Sequence, residues 1–448
     1  MTVWTPEYRV LINGTDATDL TLVGFTATSG RTDVNTQAQA GYCNLQLINA
    51  TNAFYDWSVN TGVTLEVKDT SGNWVSLFGG RISDVTTSVR TAGEVAYVTQ
   101  IQIFALGALS KLSKAIWIDS LAQDDDGDQI FTILSSLLLA SWNEVSPAQQ
   151  WSSYDPTTTW ANAGDVGLGD IDRPGQYEMV QRSASPIDYY SIVTQIANSA
   201  LGYVYENANG EIGYADAAHR QTYLLANGYT ELDAREAFAA GIKQSIRSGK
   251  IINDYQINYG NNFNSSKTAL DQDSIDLYGL YSVQENSLVH DATDAQTIVN
   301  RQIALRAYPR PLFDSITFPL QNPEMTDADR DALINVFMGQ PVKITNLPIK
   351  IYGGEFTGNI EGWTWTSTLN GLSLTFTASP TEFSAVAQTW DQVNAAETWN
   401  SILNTLEWQD AIGVISYCQQ QQTSGGKPLT IRILSKMALW LCALWATR

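Results

Sequence analysis

The residues able to do chemistry in this chain are few, and their spacing argues against most of what they could do. The 448 residues include two histidines, His219 and His290, and three cysteines, Cys43, Cys418 and Cys442. Neither histidine stands at a metal-ligand spacing from another ligand, and no nucleophile-elbow motif accompanies either one. Gly167-Leu-Gly169 lacks the third glycine and the preceding strand of a dinucleotide loop, and no phosphate-binding P-loop occurs. Asp124-Asp-Asp-Gly-Asp128 sets four acids beside a glycine, as a calcium loop would. Counted from Asp124, however, the glycine at position six and the glutamate at position twelve are missing, and acids there also suit a helix N-terminus. His219, beside Arg220, reads as a capping or surface residue. Carboxylate pairs for glycoside hydrolysis stay open, since 46 Asp and Glu offer many pairs and a sequence gives no distances. No catalytic residue, cofactor or metal ligand is assigned, and the chain reads as a non-enzyme.

Composition points the same way. Lys and Arg number 25 against the 46 acids, a net charge of -21, which disfavours a general binder of nucleic acid or anionic membrane. Only 16% of residues are charged while 14 are Trp, 20 Tyr and 13 Phe, a balance expected of large permanent interfaces and also of β-rich folds. An odd number of cysteines without metal spacing suits reduced thiols. Met1 to Val10 lacks the basic start and apolar core of a signal peptide, so synthesis in the cytoplasm is expected.

The elements that must organise such a chain are strands, and one strand unit occurs twice. The first copy opens at Gly62, runs through Val63 to Val67, and contains Phe78-Gly79-Gly80-Arg81-Ile82 before an alternating run from Tyr97 to Ala105. The second opens at Gly339 and contains Phe356-Thr-Gly358-Asn-Ile360, then Leu372 to Ala378. Both carry Phe-x-Gly-x-Ile, 16 and 17 residues after the opening glycine. Tyr97, Ile101, Ile103 and Ala105 share one face, as a half-buried strand of period two requires, and Asn370-Gly371 is a hairpin signal. The glycine of the motif (Gly80, Gly358) predicts a bulge or a close backbone approach. Phe78, Gly80, Ile82, Phe356, Gly358 and Ile360 are therefore the candidate structural motif of a duplicated domain.

Taken in order, residues 1–117 predict a first β-barrel domain. Within it, Tyr8 to Ile12 ends at Asn13-Gly14, and Ser29 to Ala40 forms a polar loop. Residues 118–245 predict a small α/β domain. Its first helix carries Ile130, Ile133, Leu134, Leu137 and Leu138 at helical spacing, and 146–182 is an aperiodic loop insertion. A second helix opens at Ser185-Pro186 with Ile192, Val193, Ile196 and Ala197 inward, and a hairpin turns at Asn207–Gly210. Strand character at Ile251–Tyr259 starts a second β-barrel domain, 246–379. Helices over 294–306, behind a Thr293/Gln296 capping box, and over 327–338, capped by Thr326, interrupt it. The fold class is α+β, mostly β, with two related barrels, an intervening α/β domain and a C-terminal arm.

That arm, 380–416, carries Trp390, Trp399 and Trp408 nine residues apart, two and a half helical turns, so alternate rings would face opposite ways. It is either an arm anchoring on a neighbour or an amphipathic helix capping its own domain. Residues 417–448 read as a Gln/Gly linker and a basic amphipathic tail, with Trp440 and Trp445 further anchoring candidates for a partner or a membrane surface.

With these pieces placed, the chain resembles the hub proteins of bacteriophage tails, the baseplate hub and tail-tip or minor tail proteins. The resemblance rests on Val23-Gly-Phe-Thr-Ala-Thr-Ser-Gly-Arg-Thr-Asp33, Ala40-Gly-Tyr-Cys-Asn-Leu-Gln-Leu47, Leu77-Phe-Gly-Gly-Arg-Ile-Ser-Asp84, Tyr214-Ala-Asp-Ala-Ala-His-Arg220 and Glu355-Phe-Thr-Gly-Asn-Ile-Glu-Gly-Trp363. It implies a virion protein of the tail tip, a homotrimer whose two barrels per chain make six similar units. Such a ring adapts the six-fold tail tube to a three-fold fibre or spike. The implied partners are a distal tail ring, the tape measure protein and the tip fibre or spike, with DNA passing through the channel without specific binding. About 70 residues follow the second barrel, which argues against a built-in lysin. The alternative is a carbohydrate-binding or glycan-degrading tail protein that uses exposed tryptophans such as Trp363, Trp365 or Trp390.

Overall fold

The computed structural model describes residues 4–138 and 167–381, apart from short gaps at 18, 52, 93–96, 239–241, 243, 310 and 369–370. Trp390, Trp399, Trp408, Trp440, Trp445, the arm and the basic tail lie outside the described residues.

Twelve strands fall into two sets of six. The first set is β1 (Tyr8–Ile12), β2 (Thr21–Gly30), β3 (Tyr42–Asn49), β4 (Gly62–Lys68), β5 (Trp74–Ala92) and β6 (Tyr97–Gly107). The second is β7 (Thr230–Asp233), β8 (Gln244–Ile246), β9 (Pro311–Pro319), β10 (Pro341–Thr345), β11 (Phe356–Thr368) and β12 (Gly371–Pro380). In space the first set lies in the order β2-β3-β6-β5-β4-β1, and the second in the corresponding order β8-β9-β12-β11-β10-β7. The pairings are antiparallel throughout except one: β1 runs antiparallel to β4, whereas its counterpart β7 runs parallel to β10.

The closed barrels expected from the repeat are not found among the described residues. Instead, the two sets form one continuous sheet, because β11 pairs with β2 of the other set. The cause is a bulge. β11 pairs with β10 through Phe356–Asn359, its register slips between Ile360 and Gly362, and the strand then presents the same edge to β2 from Gly362 to Thr366. An extra residue bends a strand and ends its pairing with the old neighbour, which frees that edge for a new one.

Alternation builds the core, although Tyr97, expected on the face of Ile101, Ile103 and Ala105, is 52% exposed at the start of β6. Cys43, Leu45 and Leu47 of β3, Ile101, Ile103 and Ala105 of β6, and Leu372, Leu374, Phe376 and Ala378 of β12 are all buried. The turn after β1 has Asn13 and Gly14 both at positive φ (52° and 72°), as a tight primed hairpin turn requires. β11 and β12 form the expected antiparallel hairpin, although its turn residue Asn370 is outside the described residues.

Between the sets, α1 (Asp126–Leu138) and α2 (Tyr189–Ser199) pack on a three-stranded sheet of Gly167–Ile171, Tyr203–Glu206 and Glu211–Ala215. Their predicted apolar faces are buried: Ile130, Ile133, Leu134 and Leu138 on one helix, with Leu137 half-buried beside them, and Ile192, Val193, Ile196 and Ala197 on the other. The Asn207–Gly210 hairpin forms as read. Three expectations are corrected here. Residues 167–171 of the supposed loop are a strand, paired parallel to Glu211–Ala215. α2 starts at Tyr189 rather than at Ser185-Pro186, because Ile187-Asp188 stays extended against Ile116-Trp117 and the Asp188 carboxylate then caps the Ser191 amide at 2.8 Å. The strand Asp254–Tyr259 belongs to a separate three-stranded sheet with Ser265–Leu270 and Ser282–Asn286, inserted between β8 and β9.

Four further helices complete the described part: α3 (His219–Asn227), α4 (Gln272–Tyr278), α5 (Ala292–Arg306) and α6 (Asp327–Ile334). α5 is capped by the Asp291 carboxylate, which accepts from the Thr293 amide, rather than by a Thr293/Gln296 box. α6 has Thr326 as its cap, as expected, but ends at Asn335 instead of reaching 338, because Asn335 leaves the helical backbone conformation. Among the described residues, no helix is long and apolar enough to cross a membrane.

Candidate functional site

The two copies of Phe-x-Gly-x-Ile occupy equivalent places down to the pairing of each residue. Phe78 pairs with Leu65 and Phe356 with Ile344. Gly80 pairs with Val63 and Gly358 with Val342, and Ile82 with Ala105 where Ile360 pairs with Ala378. All four large side chains of the motif are buried. The glycine has the same physical reason in both: a methyl group on Gly80 would run into the Leu106 carbonyl oxygen and sit 2.7 Å from Cζ of Phe78. On Gly358 it would run into the Ser379 carbonyl and sit 2.5 Å from Cζ of Phe356. The phenylalanine ring two residues earlier thus folds over bare backbone. The bulge follows at the same point, between Ile82 and Asp84 in β5 and between Ile360 and Gly362 in β11. One detail of the sequence alignment shifts: Gly62 pairs with Arg81 where Pro341 pairs with Asn359, so Gly339 precedes the equivalent position.

The bulged residue is Ser83 in the first copy and Glu361 in the second, and this difference makes the centre of the site. Glu361 is 2% exposed, directly beside the β11–β2 joint. Arg31, just past β2, donates from Nε to Glu361 Oε2 at 2.6 Å. Arg220 on α3 donates to both carboxylate oxygens, at 2.8 and 2.9 Å, and the Ser379 hydroxyl donates as well. Both guanidinium groups lie over the ring of Tyr203, at 5.0 and 4.7 Å. Burial alone pushes the Glu361 carboxyl up, but Arg220 and Arg31 outweigh it and hold the group well below the usual carboxylate range. Gly30, at φ +87°, lets β2 come close: a Cβ there would lie 2.6 Å from the Gly362 Cα. The Glu361 cluster therefore ties together β2, β11, β12, α3 and the small sheet.

Arg31, Arg220 and Arg306 also line a cavity of about 860 Å³, bounded further by Tyr255, Glu285 and Arg301. Arg306 is 4% exposed and burial pulls its guanidinium down to about 10, while its Nε reaches Asn35 Oδ1 at 3.3 Å.

A second buried carboxylate fastens the small sheet to the first set. Glu206 accepts the Gly41 amide at 2.5 Å and the Leu109 amide at 2.8 Å. Burial raises its carboxyl to about 7, against the lowering effect of those two bonds. Asp126 of the acidic run behaves similarly. It is buried, accepts the Gln176 and Tyr177 amides and the Tyr214 hydroxyl (2.8, 2.8 and 2.6 Å), and burial raises it to about 6. The remaining acids Asp124, Asp125 and Asp128 bring carboxylate oxygens within 4.8 Å of one another, and Arg173 pairs with Asp128 at 2.6 Å. His219 opens α3 and its Nδ1 lies 2.8 Å from Asp172 Oδ2. Trp363 and Trp365, offered as glycan platforms, are 5% and 1% exposed, so neither presents a face to a sugar. Sequence reasoning assigned no role to Glu361, Arg31, Arg220 or Glu206. The one local signal was an acid at Glu361 inside an otherwise uncharged strand.

Neither a family model nor a curated protein matches this sequence. Solved structures do. The 43 kDa tail protein of prophage MuSo2 from Shewanella oneidensis superposes with a TM-score of 0.53 at 10% identity, over 85% of this chain and 100% of that one. The tail protein from Neisseria meningitidis MC58 gives 0.55 at 9% identity, over 85% and 99%. At such identities the likeness is one of fold. The sequence resemblance to phage tail hubs thus holds at the level of architecture, and the chain has the fold of phage tail proteins.

Proposed function

We propose that this protein is a structural hub of a phage-type tail. Three copies form a ring, each contributing two β-units, and the ring adapts a six-fold tube to a three-fold tip around the channel for tape measure and DNA. The observation that carries the reading is the internal repeat: two sets of six strands with the same spatial order, the same buried Phe-x-Gly-x-Ile and the same bulge. A duplication of this kind has a direct use in a ring of six. The shared fold with two tail proteins supports it, and the net charge of -21 suits a channel wall that repels DNA rather than holding it. On this reading the β-units are the two strand sets, the first within 1–117 and the second taking in Thr230–Asp233 and Gln244–Ile246 together with the expected 246–379, and the small α/β part lies between them. The tryptophan arm and the tail (380–416, 417–448) reach neighbouring tail proteins or a membrane, and the protein resides at the virion tail tip without an enzymatic role.

The test is the mass of the purified protein by light scattering, together with low-resolution particle images. A three-copy particle with a central channel and six similar lobes supports the hub; a single-copy mass in both the free and the tail-assembled protein overturns it. The glycan-binding alternative keeps only Trp390 of its three named tryptophans, because Trp363 and Trp365 are buried.

A further inference from the structure

The repeat leaves two strand edges without their counterparts. In the inner joint, β11 from Gly362 to Thr366 pairs with β2 from Gly30 back to Thr26. The equivalent stretch of β5 is Asp84–Ser88, since Asp84 pairs with Phe104 where Gly362 pairs with Thr377, just past the same bulge. β5 pairs with β4 only as far as Arg81; beyond it, among the described residues, β6 is its one strand neighbour. The equivalent of β2 is β8: Ala27 pairs with Cys43, which pairs with Ala105, as Gln244 pairs with Phe313, which pairs with Ala378. β8 ends the sheet, with β9 as its one strand neighbour among the described residues.

We propose that these two edges pair with each other between copies of the chain, so that β5 of one protomer and β8 of the next repeat the inner joint. The register follows from the equivalences and is antiparallel. Val85 faces Ile246 as Trp363 faces Ser29, and Thr86 faces Ser245 as Thr364 faces Thr28. Asp84 faces Arg247 where the inner joint has Gly362 facing Gly30.

Three observations favour a second copy as the occupant. Ile246 is 63% exposed in the isolated chain, an apolar side chain that the pairing would cover with Val85. Asp84 and Arg247 are of opposite charge and both are exposed, and Asp84 would add a second carboxylate to a guanidinium that already pairs with Asp314 at 3.1 Å. The open edge of β5 over Asp84–Ser88 invites pairing with another chain, and the three residues of β8 match the short stretch of register that the inner joint predicts for it. The contact is head-to-tail, because it joins different surfaces of the two copies, and such contacts close into rings or run on as filaments. Closure at three copies rests on the hub reading above.

The test is disulfide trapping in the full chain carrying Cys418→Ser and Cys442→Ser, with the buried Cys43 left in place. Val85→Cys combined with Ile246→Cys, oxidised and run on a non-reducing gel, is expected to shift most of the protein into covalent multimers ending at a closed trimer. Thr86→Cys with Ser245→Cys, on the opposite face of the same register, is expected to do the same and covers the case in which the half-buried Val85 site folds poorly. Val89→Cys with Ile246→Cys, four residues out of register, is the control and should stay at the monomer position. Light scattering on the same samples separates the two ideas. A three-copy particle in which neither matched pair cross-links overturns this pairing and leaves the hub standing. Matched pairs that stay at the monomer position overturn the pairing, a single-copy mass in both the free and the tail-assembled protein overturns the hub as well, and a disulfide formed within one chain shows that the edges meet inside the protomer and overturns the pairing alone.

Discussion

Glu361 and Arg31 lie 330 residues apart in the chain and meet at 2.6 Å, each almost fully buried. The contact sits where the two strand sets join, and it is possible only because the bulge turns residue 361 inward beside the edge that β2 occupies. In the first copy, Ser83 stands at this position on a half-exposed strand. The difference between the two copies is thus the difference between a joint closed within the chain and an edge left open.

Replacing Glu361 with Ala strands two buried guanidinium groups, and breaking a buried pair from one side costs about 3–5 kcal/mol. Glu361→Ala is therefore expected to lower the urea midpoint sharply, and Glu361→Gln less so. The pH sign is that of a depressed carboxyl: its contribution is whole above the unfolded value of 4.5 and is lost as pH falls below that value toward the folded one. The wild type should lose more stability than Glu361→Gln between pH 5 and pH 3; equal losses would contradict the assignment.

Gly80→Ala and Gly358→Ala each force a methyl group into a neighbouring carbonyl and the ring of the motif's own phenylalanine. Overpacking of this kind costs about 1–3 kcal/mol. Both variants should melt below the wild type by similar amounts, whereas Gly249→Ala, with open space around it, should not. If Gly80 and Gly358 differ widely in thermal unfolding, the two sites are not physical equivalents.

Glu206 titrates near 7 when folded, against 4.5 unfolded. Between those values the folded state holds a proton that the unfolded state has released, so this group lowers stability as pH rises from 4.5 to 7, with no further change above. At about 1.4 kcal/mol per unit, the full span is roughly 3 kcal/mol. Urea midpoints at pH 5, 6, 7 and 8 should decline less for Glu206→Gln than for the wild type. Parallel curves would mean that the carboxyl stays ionised throughout.

Trp365 is 1% exposed at the joint, where it faces Ala27. Trp365→Ala should cost about 3–5 kcal/mol, read by denaturant unfolding. Unchanged stability would show that the ring is not packed at the joint.

The sequence by itself determined the elements whose signals are local. Period-two alternation marked β3, β6 and β12. Asn13-Gly14 marked the first turn, and Thr326 marked the start of α6, because positive φ and an N-cap oxygen are demands on single residues. Phe-x-Gly-x-Ile was legible as a repeat because ring, bare backbone and apolar neighbour lie within five residues. Only the tertiary structure decided the rest. β8 spans three residues and carries no period. The roles of Glu361 and Glu206 depend on Arg31, Arg220, Gly41 and Leu109, which are distant in sequence, so no spacing rule exposes them. The same holds for the joint: whether β11 closes on its own set or passes to β2 depends on which edge is free beyond a bulge, and that is settled by three-dimensional pairing rather than by residue type.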